Sequence, residues 1–247
     1  MTRSRAALKH LLPTVLVIAL LVSVIMFAWY PFPFRQFGNS GNFAIMLILA
    51  AGLAGPAMTW VVFVKGKRGL KFDLWIIAFV QLAAIAWGTL SLYQNRPYWM
   101  VFTLDRFEVL STRDVDTSWI NDPKFLDKPL SGPLLLYANM PDNPADYQKL
   151  VHEVMFEGKP DLQFRPESWS LYNERTQQVA QASRPISALR EARPGSADAI
   201  DGLIKSHGNE IDQLKFAPVL SKHGQFAAIL DAESGEVIDN LMIDPFF

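Results

Sequence analysis

The 247-residue sequence contains no cysteine, which excludes disulfide bonds, thiolate catalysis and cysteine-based zinc or iron–sulfur sites. It has only four histidines, His10, His152, His207 and His223, and no two stand at the spacing of a metalloprotease pair. Phosphate-binding loops, the dinucleotide fingerprint and the G-x-S-x-G nucleophile elbow are also missing. We therefore expect no catalytic residue, no metal site and no cofactor, and we predict that the protein is not an enzyme.

Acidic residues are scarce in the first part of the chain. Residues 1–95 carry eight Lys or Arg and one acidic residue, Asp73, for a net charge of +7. Residues 96–247 carry fifteen basic and twenty-three acidic side chains, for a net charge of −8. A phosphate backbone requires a basic face, so the acidic second part makes nucleic acid an unsuitable partner. The two parts are treated as separate domains, 1–95 and 96–247.

Charged residues are missing altogether from Leu11–Phe34, Gln36–Val64 and Leu74–Asn95, which are 24, 29 and 22 residues long. A helix needs about 20 apolar residues to cross the hydrocarbon core. We predict a membrane protein with three N-terminal transmembrane α-helices, at about residues 11–30, 43–64 and 74–93, and a turn at 38–42. The first stretch is too long for a signal peptide, and no small-residue cleavage site follows it.

The basic residues beside the predicted spans indicate their orientation, because cytoplasmic flanks carry an excess of Lys and Arg. Seven lie at the N-terminus or in the second connection, and only Arg35 lies in the first connection. We therefore expect the N-terminus and the 65–71 loop in the cytoplasm and residues 97–247 outside. In a bacterium this is a multi-pass protein of the inner membrane with a periplasmic domain, and the lipid bilayer is its first partner.

The outer domain is predicted to be α+β. Apolar runs indicate strands at 98–104, 107–111, 134–139, 215–220, 225–231 and 236–242, and helical spacing indicates helices at 143–156, 166–182 and 196–207. Four acidic residues crowd the last hairpin (Asp231, Glu233, Glu236 and Asp239). They lack the spacing and central glycine of a calcium loop, so we interpret them as a solvated turn.

Several short runs resemble the type IV pilin accessory proteins of the TfpX/TfpZ type. The resemblance rests on the order of the runs Gly55–Thr59, Val61–Phe63, Lys65–Lys67, Lys71–Leu74, Gln81-Leu82, Gly88, Arg96-Pro97, Val101-Phe102, Asp105–Val109, Arg165-Pro166, Trp169, Tyr172, Ser234–Val237 and Ile243–Pro245. It is strongest over residues 43–110. The resemblance implies an inner-membrane protein needed for stable, assembly-competent type IV pilin, with the major pilin subunit as partner and no small-molecule substrate.

Small and polar residues within the predicted spans are candidates for contact with a client helix, meaning the transmembrane helix of the pilin. Small residues let helices approach closely in lipid, and an amide in hydrocarbon must find a partner. The candidates are Gly52 and Gly55 on the second span and Gln81, Ala84 and Gly88 on the third. The alternative is that these residues only pack the protein's own helices, with Thr59 or a backbone carbonyl as the partner of Gln81.

Trp169 and Tyr172 are candidates for contact with the globular head of the pilin if they are exposed; the alternative is that they anchor their segment in its own core.

The sequence thus predicts a chaperone-like factor that acts on pilin by non-covalent contact. The alternative is a membrane-anchored periplasmic sensor or ligand-binding receptor. A receptor is disfavoured because the predicted cytoplasmic segments, about ten N-terminal residues and a seven-residue loop, offer little to carry a signal.

The topology is tested by a reporter fused after Phe247. Because the positive flanks place residues 97–247 outside, a reporter that works only in the periplasm should be active at this position. Activity of a second reporter, one that works only in the cytoplasm, at the same position would contradict the predicted orientation.

Overall fold

Three long helices form the first of two units into which the chain divides, Met1–Arg96 and Pro97–Phe247. The computed structural model describes residues 2–36, 40–208, 210–222 and 224–247. The three helices are α1 (Arg3–Val24, followed by a π-helical turn at Ile25–Trp29), α2 (Ser40–Val62) and α3 (Leu70–Asn95). Because α2 begins at Ser40, residues 40–42 are helical, which corrects part of the predicted turn; Gly38 and Asn39 lie outside the described residues.

Two helices, not three, have both the length and the apolarity of a membrane span within the described residues. They cover Arg3–Trp29 and Leu70–Asn95, and only 11% and 6% of their apolar windows are buried. Because a core helix of a soluble protein is mostly buried, these outward apolar faces are compatible with membrane anchoring. In the described part of α2, Gly52–Val62 is a shorter apolar segment, so the third span stays a prediction.

The second unit is built on one mixed sheet, as expected for an α+β domain. Its strands are β1 (Trp99–Thr103), β2 (Arg106–Leu110), β3 (Leu134–Ala138), β4 (Trp169–Leu171), β5 (Arg184–Pro185), β6 (Leu214–Ser221), β7 (Gly224–Asp231) and β8 (Val237–Leu241). The strand order is β4-β3-β1-β2-β6-β7-β8, with β5 paired to β6. The pairs β1–β3 and β2–β6 are parallel, and the other neighbours are antiparallel.

Among the described residues of the second unit, four α-helices accompany the sheet: α4 (Pro144–Phe156), α5 (Thr176–Ala182), α6 (Ile186–Ala192) and α7 (Ala197–His207). The side chain of Asn143 caps α4 by accepting from the Ala145 amide, and Gly208 ends α7 in a left-handed conformation with φ of 67°. Both ends agree with the sequence prediction, because the capping residues stand next to clear apolar periodicity.

The predicted helix at 166–182 is wrong for most of its length. The segment forms a 3₁₀ turn at Pro166–Ser168, strand β4 and a second 3₁₀ turn at Tyr172–Glu174, and only α5 is α-helical. Antiparallel pairing with β3 aligns Trp169 with Ala138, so tertiary contacts override the helical propensity of the segment.

Trp169 and Tyr172 are buried, each only 6% exposed, which corrects their use as candidates for contact with the pilin head. The Trp169 ring packs 5.5 Å from the ring of Trp99, and its Nε1 donates to the Gln163 carbonyl at 3.1 Å. The Tyr172 hydroxyl donates to the Gly235 carbonyl, and burial raises its pKa above the ordinary value. Both residues therefore stabilise the outer unit from within, which is the alternative that the sequence left open.

Candidate functional site

Two hydrogen bonds fix how α1 runs relative to its neighbours. Arg3 Nε at the start of α1 donates to the carbonyl of Phe63, just beyond α2, at 3.0 Å. The Tyr30 hydroxyl, just beyond the π-helical turn, donates to the carbonyl of Leu92 near the end of α3 at 2.9 Å. Helix α1 is therefore antiparallel to α2 and parallel to α3, and the basic N-terminus lies at the same end of the unit as the basic 65–71 loop.

Gly52 lies where α2 packs against α1. A Cβ atom built on Gly52 would be 3.7 Å from Cδ1 of Ile18, an ordinary van der Waals contact. Ile18 is only 2% exposed, so this contact belongs to the interior of the helical unit. The small residue is used here for packing within the chain.

Gly55 lies one turn further on, where α2 packs against α3 and meets the side-chain amide of Gln81. A Cβ atom on Gly55 would overlap this amide and lie 2.6 Å from its Cδ. The Gln81 side chain thus occupies the space that a methyl group would need. Burying an amide without hydrogen-bond partners in apolar surroundings costs free energy. The position of the Gln81 amide against α2 therefore affects the packing of the helices as well as the site.

A groove of about 220 Å³ lies between α1 and α3, which we call the α1–α3 groove. It is lined by four residues of α1 and four of α3: His10, Pro13, Thr14, Val17, Ala78, Gln81, Leu82 and Ile85. Three of these side chains are polar, and the rest give the groove an apolar lining. A segment with an apolar surface and one or two hydrogen-bonding groups is chemically suited to this groove.

His10 is held by a polar contact inside the helical unit. Its Nδ1 lies 2.7 Å from Oγ1 of Thr59, which is only 3% exposed. The contact links α1 to α2 and gives the Thr59 hydroxyl a partner on α1. His10 and Thr14 were not predicted as site residues, although their spacing of four places both on one face of α1 with Pro13 and Val17.

The predicted client-contact residues separate into two groups. Gln81 lines the α1–α3 groove and also contacts Gly55, whereas Gly52 contacts α1. Ala84 is exposed and Gly88 is half-buried on α3, and neither lines the groove. Ala84 and Gly88 share a helical face with Gln81, at spacings of three and seven. They do not reach the groove, because its α3 wall is formed by Ala78, Gln81, Leu82 and Ile85.

Within the described residues, no group of three or more His, Cys, Asp or Glu side chains could hold a metal ion. His152 pairs with Glu157 at 3.3 Å and His207 pairs with Asp239 at 2.9 Å, while His223 lies outside the described residues. Asp231 accepts from the backbone amides of Glu233 and Ser234, and these bonds lower its pKa. Asp231 therefore has a structural role in the hairpin.

The long apolar helices and the mixed sheet together describe a class of protein: an apolar helical unit compatible with membrane anchoring, followed by an α+β unit. The chain is similar to the "Fimbrial assembly protein, serogroup I" of Dichelobacter nodosus, with 31% identity over 230 residues, 90% of this chain and 88% of that protein. It is 30% identical to the serogroup E1 protein of that organism over 232 residues, again 90% and 88%. The protein of serogroups C1 and C2 matches at 36% over 111 residues, 43% of this chain and 82% of that protein.

These identities and coverages are sufficient to show family membership. The chain belongs to the fimbrial assembly protein family, which confirms the resemblance to the type IV pilin accessory proteins. No family model and no solved structure matches the chain.

The two glycines of α2 provide a matched test of the helical packing. Gly55→Ala should lower the thermal stability of the full chain in detergent, because its methyl group overlaps the Gln81 amide. Gly52→Ala should have little effect, because its methyl group makes an ordinary contact. Because the overlapped atoms are the far end of a flexible side chain, the Gln81 amide can turn aside, and we expect a loss at or below the lower end of about 1–3 kcal/mol for Gly55→Ala, measured as a lower midpoint of unfolding.

Combining Gly55→Ala with Gln81→Ala removes the overlap, so the double variant should be less destabilised than the sum of the single variants. Equal effects of Gly52→Ala and Gly55→Ala, with strict additivity in the double variant, would contradict the described contact.

Proposed function

We propose that this protein is an inner-membrane accessory factor that stabilises type IV pilin and promotes pilus assembly by non-covalent contact. Membership of the fimbrial assembly family supports a role in pilus assembly. The proposal adds the partner, the location and the chaperone-like action. It also includes the absence of enzymatic activity, since binding and release of a client require no covalent step.

The α1–α3 groove is the feature that carries the proposal. As the resemblance implies, the client is a single-span protein whose first helix carries a glutamate near its mature N-terminus. A client helix lying along the groove would contact Pro13, Val17 and Ile85 through apolar side chains. Its carboxyl group could then meet Gln81, whose amide both donates and accepts hydrogen bonds.

The expected strength of such a contact suits a factor that must release its client. A hydrogen bond between helices in a membrane contributes roughly 0.5–2 kcal/mol, which biases an encounter without making it irreversible. His10 adds a second polar group to the same groove, and its contact with Thr59 at 2.7 Å keeps the imidazole in place. The groove thus combines an apolar surface for packing with two polar groups for orientation.

The orientation of the helices agrees with the proposed topology. The N-terminus and the 65–71 loop lie at one end of the helical unit, as the bonds from Arg3 and Tyr30 require. Both segments are basic, and basic flanks favour the cytoplasm. In this proposal α1, α2 and α3 all cross the inner membrane, and residues 97–247 face the periplasm.

Substitution of Gln81 tests the client contact. Gln81→Leu should lower the abundance of pilin and the number of surface pili, because leucine cannot bond to the client's carboxyl group. Gln81→Asn, shorter by one methylene, should give a partial defect. Pilin and this protein are measured together by immunoblot of membranes, with pili counted by electron microscopy.

Because Gln81 also packs against Gly55, a second pair of variants separates client binding from folding. Ala78→Phe fills the groove from its wall, whereas Ala86→Phe places the same ring at an exposed position of α3 outside the groove. Only Ala78→Phe should lower pilin abundance at an unchanged level of this protein. Loss of this protein with Gln81→Leu and equal effects of the two phenylalanines would contradict a client site in the groove.

A further inference from the structure

The outer unit contains a groove of about 360 Å³, which is separate from the α1–α3 groove of the helical unit. It lies between the β1–β2 hairpin, one face of α4 and residues 161–163, and we call it the hairpin groove. Its apolar lining includes Leu104, Leu150, Val154, Met155 and Leu162. Pockets for small ligands run from about 300 to 1,000 Å³, so this groove is suited to one side chain or a short segment.

Three charged side chains line the hairpin groove, and two of them are acidic: Glu108 and Asp161, with Arg106 as the third. Arg106 is engaged by groups outside the lining. Its Nε donates to Asp105 at 2.9 Å, and its guanidinium carbon lies 5.4 Å from the centre of the Phe246 ring. Asp161 accepts a hydrogen bond from the Leu162 amide at 2.7 Å.

The side-chain carboxyl group of Glu108 has no hydrogen-bond or ion-pair partner in the described part of the chain, although the residue is half-buried. Burial raises the pKa of Glu108 to about 7; Arg106 opposes this rise and Asp161 adds to it. On the paired strands Glu108 is aligned with Val101 and Leu220, which are apolar. The one titratable side chain of α4 among the groove's lining residues is Tyr147.

A cation inside the groove would be attracted by two carboxylates and opposed by one guanidinium, which leaves a net formal charge of −1 when both acids are ionised, while the apolar walls would exclude a fully hydrated ion. An ammonium group on an alkyl stem meets both conditions, because the stem covers apolar surface and the charge reaches the carboxylates. The rim favours a protein as the source of this group: Leu104, Met155 and Tyr147 are 64%, 70% and 45% exposed beside the opening. Exposed apolar residues around a groove are typical of a protein contact.

We propose that the hairpin groove receives a lysine side chain from the globular head of the pilin, with its ammonium group at Glu108 and Asp161. This inference rests on the proposed function, because it takes the pilin as the partner. It moves the contact with the pilin head from the buried Trp169 and Tyr172 to an open and acidic surface.

The proposal makes binding depend on pH with a defined sign. In the free protein Glu108 is mostly protonated at pH 6 and mostly ionised at pH 8, since its pKa is about 7. Lysine binding favours the carboxylate, so binding releases a proton below pH 7. Affinity should therefore rise by about tenfold from pH 6 to pH 8.

The experiment measures binding of the purified pilin to the full chain in detergent at pH 6 and at pH 8. Wild-type protein should bind about tenfold more tightly at pH 8. Glu108→Gln should bind weakly at pH 8 and lose the pH dependence. Glu233→Gln removes an exposed acid from the β7–β8 hairpin and should behave as wild type. A Glu108→Gln variant that keeps both the affinity and the pH dependence would overturn the proposal.

A zero-length carbodiimide coupling then identifies the occupant. We expect an amide bond between Glu108 or Asp161 and a pilin lysine, located by mass spectrometry. Coupling to added butylamine but not to pilin would assign the groove to a small amine and overturn the proposal while leaving the proposed function intact. No pilin binding by any variant at either pH would contradict the proposed function as well.

Discussion

The contact between the Gln81 amide and the backbone at Gly55 is the constraint on which the helical unit depends. A Cβ atom at position 55 would overlap this amide where it now lies, so glycine lets the Gln81 side chain rest against the α2 backbone. Gln81 also lines the α1–α3 groove, so this contact joins one wall of the groove to α2, while Ile18 faces Gly52 where α1 packs on the same helix. The two helices that form the groove, α1 and α3, both pack against α2.

Both grooves combine an apolar lining with few polar groups. The α1–α3 groove has polar side chains but no carboxylate, lysine or arginine among its lining residues, which is compatible with a lipid environment where an unpaired charge is costly. The hairpin groove has carboxylates, which suits an aqueous compartment where a cationic side chain can arrive hydrated. In the function proposed here, two polar groups in either groove would orient a partner and still allow its release.

Sequence patterns predicted the elements whose signals are local. The apolar runs located α1 and α3, and helical spacing located α4 and α7. They failed at 166–182, because pairing of β4 with β3 is a long-range interaction that helical propensity does not report. The burial of Trp169 follows from the same pairing, so its loss as a surface candidate has the same cause.

For the candidate site, the sequence indicated Gln81 and the glycines but not the groove itself. An amide inside an apolar stretch is visible in one sequence, and so are small residues at helical spacing. Which of them face each other depends on the relative rotation of three helices, and nothing local specifies that rotation. His10 shows the limit clearly, because its partner Thr59 lies 49 residues away in the sequence.

The central claim is that the pilin helix lies between α1 and α3, and site-specific photo-crosslinking in living cells tests it most directly. A photoreactive residue at Leu82, which lines the groove, is compared with the same residue at Phe79, which is 71% exposed on α3 and outside the groove. The account predicts a crosslink to pilin from position 82 and none from position 79. Crosslinks of equal yield from both positions, or from position 79 alone, would contradict it.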